Sequence, residues 1–162
     1  MNRIALLELA DFLEALNPER FDITTWRKLG KKKVGYVSDE SLLNDFNTVA
    51  CPVGWGCLLK SWKEAGLYID RFEVKQEYLE HSLSKPHVMS MVKLRSNPEL
   101  DSYEAVQAGL HLYPRMAEVL FGCNNYADEE FTSPETVAER IREFCSASED
   151  ELQNLILTYD DH

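Results

Sequence analysis

Apolar residues recur at spacings of three and four in several stretches of this chain, and those stretches define its predicted helices. Leu6, Leu9, Leu13 and Leu16 form the first such row over residues 2–16, and Ile4, Leu7 and Phe12 widen the stripe. So wide a stripe predicts burial on more than one side. Asn17-Pro18 ends the helix, because the residue before a proline is pushed out of the helical region. Phe21 to Trp26 carries apolar anchors without a period and reads as a turn or a single helical turn. The basic stretch after it reads as an exposed loop, and Val34 to Val37 as a short strand.

The segment from Asn47 to Leu59 is the most distinctive in the chain. Asn47 or Thr48 is placed to cap a helix, and Pro52 falls in its first turn, where a missing N–H costs little. Small residues Ala50, Gly54 and Gly56 leave room for another backbone to come close. This helix is predicted to run to about Ala65, with Gly66 as its stop. In residues 67–97 the apolar positions fit either strands, as a two- or three-stranded sheet, or fragments of helix, with a helical turn or two over Gln76 to Leu83.

The C-terminal third is more regular. Asp101 with Glu104 has a capping arrangement for a helix through Leu110, with Tyr103, Val106 and Leu110 inward. Pro114 opens a short helix that carries Met116, Ala117, Leu120 and Phe121 inward and stops at Gly122. Ser133-Pro134-Glu135 starts the next, whose apolar face is Val137, Ala138, Ile141, Phe144 and Cys145. Ser148 with Glu151 opens the last, carrying Leu152, Leu155 and Ile156, and the end from Thr158 is expected to fray. The expected fold is mainly α: one compact domain over 1–162, a bundle of about five to seven helices. A small hairpin or short sheet would be drawn from 34–37 and 67–94, and the acidic segment 128–162 would pack on the bundle.

Composition agrees with a globular chain, at 44% apolar and 28% charged residues in 162. No apolar run is long enough to cross a bilayer, and Glu8, Asp11 and Glu14 interrupt the N-terminal one, so it reads as a core helix rather than a signal peptide. Cys51, Cys57, Cys123 and Cys145 lie far apart and read as buried thiols in a reducing compartment, which implies a cytoplasmic protein.

The net charge of −11 is unevenly spread. From Asp128 to His162 there are eleven acidic residues against Arg140 and Arg142, a net of −9. Arg27, Lys28, Lys31, Lys32 and Lys33 make an opposite patch within seven positions. The acidic balance argues against direct nucleic-acid binding and favours a basic protein partner, for which Glu129, Glu130, Glu149, Asp150 and Glu151 are the candidate contacts.

An N-terminal amphipathic helix, then Phe21-Asp22 with Trp26, then Thr48-Val49-Ala50-Cys51-Pro52-Val53-Gly54-Trp55, resembles a family of small phage- and prophage-associated bacterial proteins. Gly109-Leu110, Ala117, Leu120-Phe121-Gly122 and Thr132 to Glu135 with Val137-Ala138 and Ile141 are similar to that family's second half. The family reads Cys-Gly-Thr-x-Ala-Cys-x-x-Gly-Trp at the central motif. Here Phe46-Asn47 replaces the leading Cys-Gly, so a role for paired cysteines does not carry over. The resemblance spans about half the chain, with 28–44 and 67–97 as additions. It implies a phage or mobile-element setting and no activity, and it marks Thr48, Cys51, Gly54 and Trp55 as a structural motif.

Signatures of chemistry are few. Gly54-Trp55-Gly56 lacks the rest of a P-loop. Cys51 and Cys57 are six residues apart, about 600° of rotation on a helix, and His81 and His87 share that spacing, so no metal site and no cofactor is expected. The sharpest enzyme reading places a site at Cys51 and Trp55 with a distant histidine, Cys51 being activated by the N–H groups of a helix start. The preferred reading is a non-enzymatic interaction module. The alternatives are a small enzyme at Cys51 and a structural part of a larger assembly.

Overall fold

The computed structural model describes residues 1–27, 39–44, 48–74, 87–126 and 132–160. Their fold is mainly helical, with a small three-stranded antiparallel sheet. The first helix, α1 (Arg3–Glu14), is capped by Asn2, whose side chain accepts from the Ala5 N–H at 3.2 Å. It buries Ala5, Leu6, Leu9, Ala10 and Leu13. The wide stripe predicted from the sequence is narrower in the fold. Ile4 is 78% exposed and Leu7 36%, because they point away from the face that Leu6, Leu9 and Leu13 press inward. Asn17 caps a 3₁₀ turn over Pro18–Arg20, accepting from Glu19 N–H at 3.0 Å, while α1 has already ended at Glu14.

After that turn, Phe21 and Ala50 form a parallel bridge that draws the Phe21–Trp26 turn onto the central segment. The short α2 (Asp39–Asn44) buries Leu42. The Arg20 guanidinium reaches its last turn, donating to the Leu42 and Leu43 carbonyls at 3.1 and 3.0 Å. Among the described residues those carbonyls have no intrahelical donors, and Arg20 supplies what the helix end lacks.

The single helix expected over 48–65 is two helices, α3 (Pro52–Gly56) and α4 (Lys60–Glu64). Cys51, not Asn47 or Thr48, is the N-cap of α3, and its sulfur accepts from the Gly54 N–H at 3.5 Å. Asn47 lies outside the described residues. Leu59 is extended and offers α4 no side-chain cap. Glu8 of α1 supplies one: its carboxylate accepts from both the backbone N–H (3.0 Å) and the hydroxyl of Ser61. The break lets both Trp55 and Trp62 be fully buried, with the Trp62 indole N–H donating to the Ala5 carbonyl at 3.0 Å.

Gly66, at φ +86°, turns the chain out of α4 into β1 (Leu67–Val74). β1 pairs with β2 (His87–Leu94), which pairs with β3 (Asn97–Asp101). The predicted sheet is therefore present in 67–101. The strand over Val34 to Val37 and the helical turns over Gln76 to Leu83 lie outside the described residues. Helix α5 (Ser102–Gly109) lies on the sheet, and a Cβ at Gly109 would come within 3.0 Å of the Leu67 side chain. Asp101 makes no side-chain cap for α5. Its carboxylate lies 3.6 Å from Lys93 Nζ, across the β2–β3 pairing that holds it.

Helix α5 ends in a Schellman turn, with Leu112 N–H bonded to the Gln107 carbonyl (2.9 Å) and His111 N–H to that of Ala108 (3.3 Å). The left-handed position usual for glycine is taken by His111, at φ +52°. Helices α6 (Met116–Phe121), α7 (Pro134–Ser146) and α8 (Glu149–Asp160) complete the described chain. The number of helices exceeds the expected five to seven by one among the described residues, because the 48–65 helix divides and α2 is added. The Ser133 cap of α7 and the inward faces predicted for α5 to α8 are as observed, except that Tyr103 and Leu155 are half-buried. Helix α8 runs past Thr158 to Asp160, with Tyr159 bonded to Glu143 at 2.8 Å, and the rest of the end expected to fray, Asp161 and His162, lies outside the described residues.

Helix α1 packs most extensively on α7, where Arg142 pairs with Asp11 (2.6 Å) and Glu14 (2.8 Å). Buried side chains of α1, the 48–62 segment, the sheet and α5 to α8 share one hydrophobic core. No described helix is long and apolar enough to cross a membrane.

Two substitutions check this description. A Cβ at residue 54 would sit 1.6 Å from the Trp26 carbonyl oxygen, so Gly54→Ala should cost roughly 3 kcal/mol or more in denaturant unfolding. His111→Gly relieves a left-handed backbone and should add about 1 kcal/mol. A loss of stability there would mean that the imidazole makes a contact outweighing the strain.

Candidate functional site

The central motif is the first candidate, and its residues lie in the core. Every residue from Ala50 to Leu59 is buried, as is Thr48. Arg20 stacks over the Trp55 ring at 4.7 Å, Phe12 packs against it at 5.4 Å, and the Trp55 indole N–H donates to the Arg20 carbonyl at 3.2 Å. Gly54 admits the Trp26 backbone, and its carbonyl accepts from Arg27 at 2.6 Å. Arg27 is therefore a half-buried support of the motif, whereas the sequence placed it in an exposed basic loop. Lys28, Lys31, Lys32 and Lys33 lie outside the described residues. The Thr48 hydroxyl is buried and has no hydrogen-bond partner among the described residues.

Cys51 does stand at a helix start, but it is not activated there. Burial pushes its thiol up to about 12, and the hydrogen bonds from Gly54 and Val53 only partly offset this. Cys57 is raised to about 12 for the same reason. Desolvation wins because a thiolate needs water or a counter-ion, and weak N–H···S contacts supply little of either. His111 is exposed at the end of α5; His81, His162 and the side chain of His87 lie outside the described residues. Among the described residues no three Cys, His, Asp or Glu side chains gather where a metal could be held.

The second candidate is the acidic C-terminal surface, and the three α8 carboxylates differ in what they do. Glu151 closes a capping box, accepting from the N–H (2.8 Å) and hydroxyl (2.7 Å) of Ser148, which hold its carboxyl below the ordinary value. Glu149 accepts from the Tyr113 hydroxyl at 2.9 Å, and that bond raises the Tyr113 phenol. Asp150 is exposed. Glu129 and Glu130 lie outside the described residues.

The structure adds a row that the sequence analysis did not single out. Glu135, Glu139 and Glu143 are exposed on α7 at intervals of four, so they lie along one face of it. Their spacing was legible in the sequence; where Arg140 and Arg142 reach was not. Both arginines are turned elsewhere. Arg140 lies between the rings of Tyr126 (3.7 Å) and Tyr159 (4.1 Å) and donates to the Val119 and Asn125 carbonyls. Arg142 is held by Asp11 and Glu14. Among the described residues, none of the six carboxylates from Glu135 to Glu151 makes an ion pair. Between α7 and α8 an open crevice of about 440 Å³ has Glu143 and Glu151 among its walls, with Ala147 and Leu155 between them.

Comparison of the chain with protein-family models, curated proteins and solved structures finds no match.

Native-state alkylation should modify half-exposed Cys123 first and leave Cys51 and Cys57 until unfolding, read by mass spectrometry of the peptides. Cys51 reacting as fast as Cys123 would contradict the burial. Acid provides another check. Glu14, through its hydrogen bond from Arg142, and Glu151 are both held below the ordinary 4.5 when folded. A depressed carboxyl contributes stability above its unfolded value and loses it as pH falls through the folded one. Glu14→Gln and Glu151→Gln should therefore each lower Tm at neutral pH and flatten its fall below about pH 4.5. Profiles parallel to that of the unaltered protein would rule these contacts out.

Proposed function

We propose that this protein is a non-enzymatic interaction module that binds a basic protein partner through the acidic face of α7 and α8. The observation that carries this reading is the row Glu135, Glu139, Glu143 with Asp150, exposed while both nearby arginines are committed to internal contacts. Successive glutamates at intervals of four repel one another by a few tenths of a kcal/mol, and no ion pair among the described residues offsets this. A partner with a complementary basic surface would relieve that repulsion and associate faster for it.

The helices form one compact cytoplasmic domain in this reading, and the resemblance to phage- and prophage-associated proteins supplies its setting. One specific form is an inhibitor that lies in a nucleic-acid groove of a host protein, with carboxylates where phosphates would sit. The enzyme reading at Cys51 and Trp55 has less support, since its thiol is buried and its sulfur caps a helix. An assembly role would call for a broad apolar patch. The exposed large apolar side chains among the described residues are Ile4, Leu7 and Leu157.

The test uses full-length protein as bait in lysate at low and high salt, beside a Glu135→Gln, Glu139→Gln, Asp150→Asn variant. These three make no hydrogen bond within the described chain, so their loss should leave the fold intact, unlike that of Glu151. The partner should leave the bait at high salt and bind the variant roughly tenfold more weakly. Glu104→Gln, at an exposed position of α5, should bind as the unaltered protein does. A partner indifferent to salt and to the triple substitution would overturn the acidic-face reading.

A further inference from the structure

We draw no further inference here: the strongest candidate, the open groove of about 490 Å³ between the start of α1, the ends of α4 and α5 and the β2–β3 turn, has an exposed Ile4 among its lining residues but is of mixed polarity, and nothing in the structure shows what covers it.

Discussion

The Trp26 carbonyl occupies the space where residue 54 would carry a side chain, and much of the interior is arranged around that approach. Because Gly54 admits the backbone, the Phe21–Trp26 turn can lie flat on α3. Cys51 N–H then reaches the Thr25 carbonyl at 2.6 Å, and Arg27 reaches the carbonyl of Gly54 itself. The same approach brings Arg20 over the Trp55 ring and, from there, onto the end of α2. Each of these contacts joins segments about twenty or more residues apart. A close-packed interior offers no slack to absorb a methyl group at the centre of such a junction.

Around this hub, helix ends are completed by other elements as well as by their own flanks. Glu8 of α1 caps α4, Arg20 satisfies α2, and Arg3 donates to the Ala147 carbonyl at the end of α7 at 3.1 Å. The structural use of arginine has an electrostatic consequence. Arg140 and Arg142 are the positive charges of α7, and both are spent on tyrosine rings, carbonyls and the carboxylates of α1. The charges of α7 left facing solvent without an ion pair among the described residues are glutamates. The uncompensated acidic face thus follows from how the helices are fastened.

That division bears on function. The motif most conspicuous in the sequence is interior, and its cysteine, glycines and tryptophan are explained by packing, capping and close approach. The described C-terminal carboxylates, which look alike in the sequence, separate into a helix cap, two tyrosine acceptors and side chains with no hydrogen bond among the described residues. Only the last group can meet a partner without loss to the fold, which is why a binding face is better sought there than at Cys51.

The sequence by itself determined the elements whose signals are local. The Ser133 and Ser148 caps, the inward faces of α5 to α7 and the Gly66 stop all depend on neighbours a few residues apart. It misjudged what is set by distant partners. Helix 48–65 breaks because Glu8 can start α4 afresh and because both indoles must be buried. Asp101 turns to Lys93 instead of capping, and Ile4 faces outward although its neighbours pack. The destination of Arg27, Arg140 and Arg142, and with it the charge left on the surface, was decided by tertiary structure alone. A long side chain reaches whatever acceptor the fold brings within its span, and spacing along the chain carries no record of that choice.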